Sequence, residues 1–195
     1  MPESNGAPGY RQTPSQTVGP FFGYALPYDG GPEIAAPWSP DAIRLHGAVL
    51  DGAGDPVPDA LIEVWGADAD GSVIARQGSL QRDGFTVTGF GRAATDRAGR
   101  FSFTTVKPGA TRPGSAPYLL VTVFARGLLH HLFTRAYFGD ESAANEADPF
   151  LAGVDGSRRA TLIATPDGER SYRFDIRLQG EGETVFLDFV GDGRG

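Results

Sequence analysis

Hydrophobic and polar positions alternate most cleanly in "SYRFDIRL" (171–178), where Tyr172, Phe174, Ile176 and Leu178 share one face and Arg173, Asp175 and Arg177 the other. A period of two is that of a half-buried β-strand. "YLLVTVFA" (118–125) is apolar on both faces instead, as in a central strand covered on each side. Short runs rich in Val, Ile, Leu, Phe and Thr predict further strands at 43–50, 60–65, 100–105, 131–138 and 184–190, punctuated by Gly and Asp. Only "DESAANEAD" (140–148) has a helical texture, and no internal repeat or low-complexity segment interrupts the series. The sum predicts an all-β fold, a single β-sandwich domain of mixed short strands and long loops over residues 41–195.

Residues 1–40 read differently. Eight of the 15 prolines fall between residues 2 and 40, interleaved with Tyr10, Phe21, Phe22, Tyr24, Tyr28 and Trp38. Proline removes a backbone donor, fixes φ and pushes the preceding residue extended, so this is an irregular arm rather than helix or ladder strand. Disordered linkers are poor in aromatics, so an arm this rich in them is expected to lie on a surface, its own or a partner's.

Composition narrows the function classes. A chain of 195 residues holds a core without staples, and the absence of Cys excludes disulfides, thiolate metal sites and a Cys nucleophile. A net charge of −7 is the wrong sign for a nucleic-acid backbone or an anionic membrane surface. The opening residues have neither the basic nor the apolar region of a secretory leader, and no apolar run reaches membrane-spanning length, which points to a soluble cytoplasmic protein.

Most local motifs dissolve on inspection. "ADADG" (67–71) has two acidic residues and a glycine of a calcium loop but lacks the third acidic ligand and the distal Glu, and reads as a hairpin turn. "GFGR" (89–92) has two glycines of a dinucleotide fingerprint without the third. His130 and His131 would point to opposite faces of an extended strand and could not meet one metal there; they and His46 read as structural or surface residues. No G-x-S-x-G elbow is present.

Longer motifs carry a family resemblance. "LHGAVLDGAGDPVPDALIEVWGADADG" (45–71) and "ATDRAGRFSFTTVKPG" (94–109) resemble the intradiol ring-cleaving dioxygenases, non-haem ferric enzymes that open catechols between their hydroxyls. "TPSQTVGPFF" (13–22), "FARG" (124–127), "TRAYF" (134–138) and "YRFDIRLQGEGETVFLDF" (172–189) resemble more narrowly the chain without iron in the two-chain members. Those act on protocatechuate in the β-ketoadipate pathway of aromatic catabolism. The resemblance implies Fe(III) held by two tyrosinates and two imidazoles. Carried onto this chain, the ligand positions fall on Val73, Thr111, Tyr118 and Leu120, none of which is the ligand type required. Val73 and Leu120 are then expected to be core residues.

The resemblance therefore implies no catalytic residue and no metal in this chain. The iron would sit on a homologous β chain, paired with this one in an αβ protomer of a larger oligomer, with the substrate cavity at the interface. Thr17, Gly19 and Pro20 of the arm are expected to line that cavity, with Phe21 standing where such chains commonly carry Tyr. Arg126 is expected to lend positive charge near a benzoate carboxylate, and Arg135 is a weaker candidate. The competing expectation is a metal-free sandwich that acts as a free-standing binding module.

Overall fold

The computed structural model describes residues 16, 17, 19–74 and 81–188, with the side chain of Pro20 outside that set. Among the described residues nine strands form, β1 (Ala42–Leu50), β2 (Leu61–Trp65), β3 (Phe90–Ala94), β4 (Arg100–Val106), β5 (Tyr118–Phe124), β6 (Leu132–Phe138), β7 (Ile163–Pro166), β8 (Ser171–Arg173) and β9 (Ile176–Arg177). They run in one continuous path, β3-β2-β5-β6-β7-β8-β1-β4, with β9 beside β1. β7 pairs parallel with β6 and antiparallel with β8, carrying the path from one layer to the other. The path curls until β3 faces β4, so the layers enclose one core and the all-β sandwich expected from the pattern is present.

Alternation fills that core. Leu45 and Val49 of β1, Phe101 and Phe103 of β4, and Leu119, Val121 and Val123 of β5 point inward and are almost wholly buried. β5 is central, between β2 and β6. Near its start, the opposite face is covered by a smaller cluster of Ala116, Tyr137, Leu151 and Leu162, with Tyr118 and Phe150 packed against it. Four short α-helices occur among the described residues, α1 (Phe22–Ala25), α2 (Ser142–Ala147), α3 (Pro149–Ala152) and α4 (Gly156–Arg159). α2 is the predicted helix. The buried Asp148 fixes α3 by accepting from the backbone N–H groups of Phe150 and Leu151 at 2.9 and 3.0 Å, while its other oxygen accepts from Ala116 N–H at 2.9 Å.

Three strand expectations change. The stretch 171–178 is two short strands, β8 and β9, although both keep one register against β1, His46 opposite Arg173 and Val49 opposite Ile176. The ladder breaks between them because the Asp175 carboxylate, not a backbone carbonyl, accepts from Ala48 N–H at 3.0 Å. Gly47 faces this break, and a Cβ there would stand 1.9 Å from the Phe174 carbonyl oxygen. The expected strand at 184–190 reduces, through residue 188, to a single bridge between Leu187 and Phe133. Its residue Thr184 turns toward Arg177, whose N–H donates to the Thr184 hydroxyl at 3.0 Å; residues 189 and 190 lie outside the described set. β3 and β7 were not expected at all.

The arm does not stop at the edge of the sandwich. Ile34 and Ala35 are buried, and both their N–H groups donate to the Thr104 carbonyl on β4, at 2.8 and 3.0 Å. On the other side Arg92 N–H of β3 donates to the Gly31 carbonyl at 2.9 Å, and Thr88 N–H to the Ile34 carbonyl at 3.1 Å. Residues 31–35 thus bridge the two end strands of the curled sheet. Two arginines hold the segment down. Arg92 bonds Glu63 through two nitrogens and donates to the Leu26 carbonyl at 2.6 Å, while Arg82 donates to the Tyr28 hydroxyl at 2.9 Å and the Gly31 carbonyl at 3.1 Å. Both guanidinium carbons lie within 5.7 Å of the Tyr28 ring centroid. Burial of the Tyr28 phenol is the main reason its pKa is raised, against the lowering effect of the two arginines. No helix among the described residues is long and apolar enough to cross a membrane.

Candidate functional site

Apart from His46, the residues singled out in the sequence gather in two places at opposite ends of β5. At its far end the arm makes a tight turn. Gly19 has φ +67° and its N–H points to the Thr17 hydroxyl at 3.3 Å. A Cβ on Gly19 would meet no atom within 4 Å, so the backbone angle rather than space selects glycine here. Gly19, Pro20 and Phe21 form one 3-10 turn that leads into α1. Phe22 is the anchor, 4% exposed, its ring centroid 6.3 Å from that of Phe124, while its neighbour Phe21 is 75% exposed. Phe22 closes a small pocket of about 120 Å³ with Phe124, Leu128, Leu129, His130 and His131.

Arg126 leaves β5 two residues beyond Phe124. Its guanidinium is ion-paired with Asp59, and the side chain is 68% exposed. Arg126 and the arm turn share this end of the sheet, yet the charge partner of Arg126 is Asp59 and not the arm. His130 and His131 precede β6 instead of lying within it, and they border the same pocket. The His131 ring packs edge-on to Phe133 at 4.6 Å. His46 lies on the outward face of β1 with Nε2 3.0 Å from Asp167 Oδ2.

The four positions to which the resemblance points for iron lie at the near end of β5. Val73 closes the hairpin after β2 by bridging to Ala67, with Gly71 N–H donating to the Asp68 carbonyl at 3.1 Å, so "ADADG" is the turn expected. The hairpin docks on the loop that carries Thr111, since Gly109 N–H donates to the Asp68 carbonyl at 2.8 Å. That loop enters β5 at Tyr118, and Leu120 pairs with Trp65. The expectation that Val73 is core is wrong. It is 77% exposed, because a hairpin tip of this length turns its last side chain outward. Leu120 is half-buried, on the outer face of β5.

The residue that dominates this end was named in the sequence only as the weaker candidate for charge near a carboxylate. Arg135 of β6 stands opposite Leu120, and its guanidinium carbon lies 4.4 Å from the Tyr118 ring centroid and 4.5 Å from that of Phe150. Its Nη1 donates to the Tyr137 hydroxyl at 3.0 Å, while its buried Nε has no acceptor among the described residues. Burial pushes the Tyr137 phenol up to about 12, opposed by Arg135. An arginine two positions before a buried Tyr on a strand was legible as a same-face pair, but nothing in the sequence announced the two rings that enclose it.

Residues 38–118 match the family model described as "Dioxygenase". Over 194 residues the chain is 46% identical to the protocatechuate 3,4-dioxygenase alpha chain of Burkholderia cepacia, spanning 91% of this chain and 98% of that one. The chain belongs to the intradiol dioxygenase family. Within the family it is also 34% identical over 160 residues to the protocatechuate 3,4-dioxygenase beta chain of Burkholderia cepacia, across 74% of this chain and 67% of that one. The dioxygenase domain of a carbohydrate-binding fusion from Streptomyces sp. SirexAA-E shares the fold, with TM-score 0.57 at 23% identity over 76% of this chain and 87% of that one.

Ferric ion, which the intradiol family implies, does not fit the residues at the near end of β5. Val73 and Leu120 have no donor atom, Thr111 offers an exposed neutral hydroxyl, and the ring of Tyr118 is covered by a permanent cation. No three His, Cys, Asp or Glu side chains converge elsewhere among the described residues.

Proposed function

We propose that this chain is the α subunit of a ferric intradiol dioxygenase that opens protocatechuate with O2 to 3-carboxy-cis,cis-muconate in the cytoplasm. The Fe(III) is carried by a homologous β chain, and this chain alone is inactive. The observation that carries the reading is the separation of the two clusters. The arm turn and Arg126 lie about 20 Å along β5 from the positions where the chain's own ligands would be, six residue steps at about 3.3 Å each. A turn placed that far from its own chain's ligand positions is built to serve another chain's cavity. Thr17, Gly19 and Pro20 form a wall there that loses little entropy on docking, and Arg126 supplies positive charge through its exposed, readily exchanged pair with Asp59. Exposed Phe21 and Tyr24, in and just after the turn, supply apolar area for the same contact.

The test is iron per chain and protocatechuate-dependent O2 uptake, measured for this chain alone and co-expressed with an iron-bearing β homologue. The expected result is no iron and no uptake alone, with both present in the co-purified complex. Stoichiometric iron in the lone chain, or a complex whose turnover survives removal of residues 1–21, would sink the proposal.

A further inference from the structure

The outer face of β1, β4 and β8 gathers three arginines and a histidine in a chain whose net charge is −7. Register produces it. β1 presents Arg44, His46 and Ala48 outward, β4 sets Ser102 beside His46 and Arg100 beside Ala48, and β8 sets Arg173 beside His46 on the other flank. All of these except Ser102 line a depression of about 350 Å³ together with Asp175. Its charges are unevenly matched. Arg173 is neutralised by Asp175, to which it donates at 2.9 Å, and His46 contacts Asp167. The only side-chain partner of Arg44 is the neutral Ser102 hydroxyl, at 3.0 Å, and no carboxylate pairs with Arg44 or Arg100 among the described residues.

We infer that this depression binds a small polycarboxylate anion, with Arg44 and Arg100 each taking one carboxylate. A guanidinium presents a planar fork that matches a carboxylate through two N–H bonds. The two arginines enter the same depression from positions four residues apart along β1, about 13 Å at 3.3 Å per residue, with Arg44 reaching as far as the Ser102 hydroxyl. That spacing selects an anion whose charged groups are several ångströms apart and disfavours a compact single phosphate. The site is argued from this face alone and stands apart from the reading above, although the ring-opened acid of that reading, a tricarboxylate, falls in the same class.

Calorimetric titration of the full-length chain with tricarballylate at low ionic strength tests the site without any assay of turnover. Saturable binding is expected, weakened about tenfold or more by Arg44→Gln and by Arg100→Gln and unchanged by Arg97→Gln, an exposed arginine outside the depression. Inorganic phosphate is expected to bind more weakly than tricarballylate. Absence of binding, or equal weakening by Arg97→Gln, overturns the site, and phosphate binding as tight as tricarballylate overturns the two-armed geometry. Circular dichroism verifies the fold of each variant, and either arginine variant alone suffices if the other unfolds.

Discussion

Arg135 lies over the ring of Tyr118, its guanidinium carbon 4.4 Å from the ring centroid, on the face of β5 where a metal-binding relative would need donors. The stacking places a fixed positive charge beside the one expected ligand position that still carries a donor atom. Repulsion between that charge and a trivalent cation opposes metal entry whatever the neighbouring side chains are.

Restoring imidazoles is therefore expected to fail. The double variant Tyr118→His and Leu120→His should bind no more iron than the parent chain by elemental analysis. Arg135→Met on the parent should lower stability by about 1–2 kcal/mol in denaturant unfolding, as cation–π contacts to two rings are lost.

Phe21 and Phe22 are adjacent and opposite in burial, 75% against 4% exposed, which separates assembly from folding. Phe22→Ala should cost about 3 kcal/mol of stability in the isolated chain. Phe21→Ala should leave that stability within about 0.5 kcal/mol and instead reduce turnover of the assembled complex. Loss of stability from Phe21→Ala would mean that it packs on its own chain.

Arg92 and Glu63 are 15% and 14% exposed, and their pair ties the arm at Leu26 to β2 and β3. Removing one partner strands the other, so Arg92→Ala should destabilise by about 3 kcal/mol and expose the 26–36 segment to proteolysis. Arg92→Lys, which keeps the charge without the fork, should recover only part of the loss.

Tyr137 gives stability a high-pH limit. Its folded pKa of about 12 exceeds the unfolded value of 10.0, so the native state holds this proton where the unfolded chain releases it. The contribution is complete below pH 10 and is lost as pH rises from 10 through 12. Ultraviolet titration should show one tyrosine ionising late, and Tyr137→Phe should remove that late step and flatten the decline in melting temperature over the same window.

The legibility of this fold followed burial. Strands whose inward residues are large and regularly spaced, such as Leu119, Val121 and Val123, were readable because one face had to be apolar. β3 was missed because "FGRAA" offers one large side chain, and Gly91 is required where Ile34 of the arm presses within 2.4 Å of where its Cβ would be. The break after β8 was hidden for a different reason. The pattern there is a faultless alternation, and only the capture of Ala48 N–H by the Asp175 carboxylate interrupts it. At the candidate site the arm turn and Arg126 were found through motif likeness, whereas the exposure of Val73 and the stacking of Arg135 depend on where a hairpin tip and a helical cover come to rest.

Residues 31–35 stitch the borders of the sheet together by taking hydrogen bonds from both β3 and β4. Open borders are where identical sheets extend one another without limit. With its seam closed by its own arm, this chain cannot recruit neighbours there through backbone amides. A neighbour that meets the seam there finds Thr104 and Arg92 already bonded to the chain's own arm.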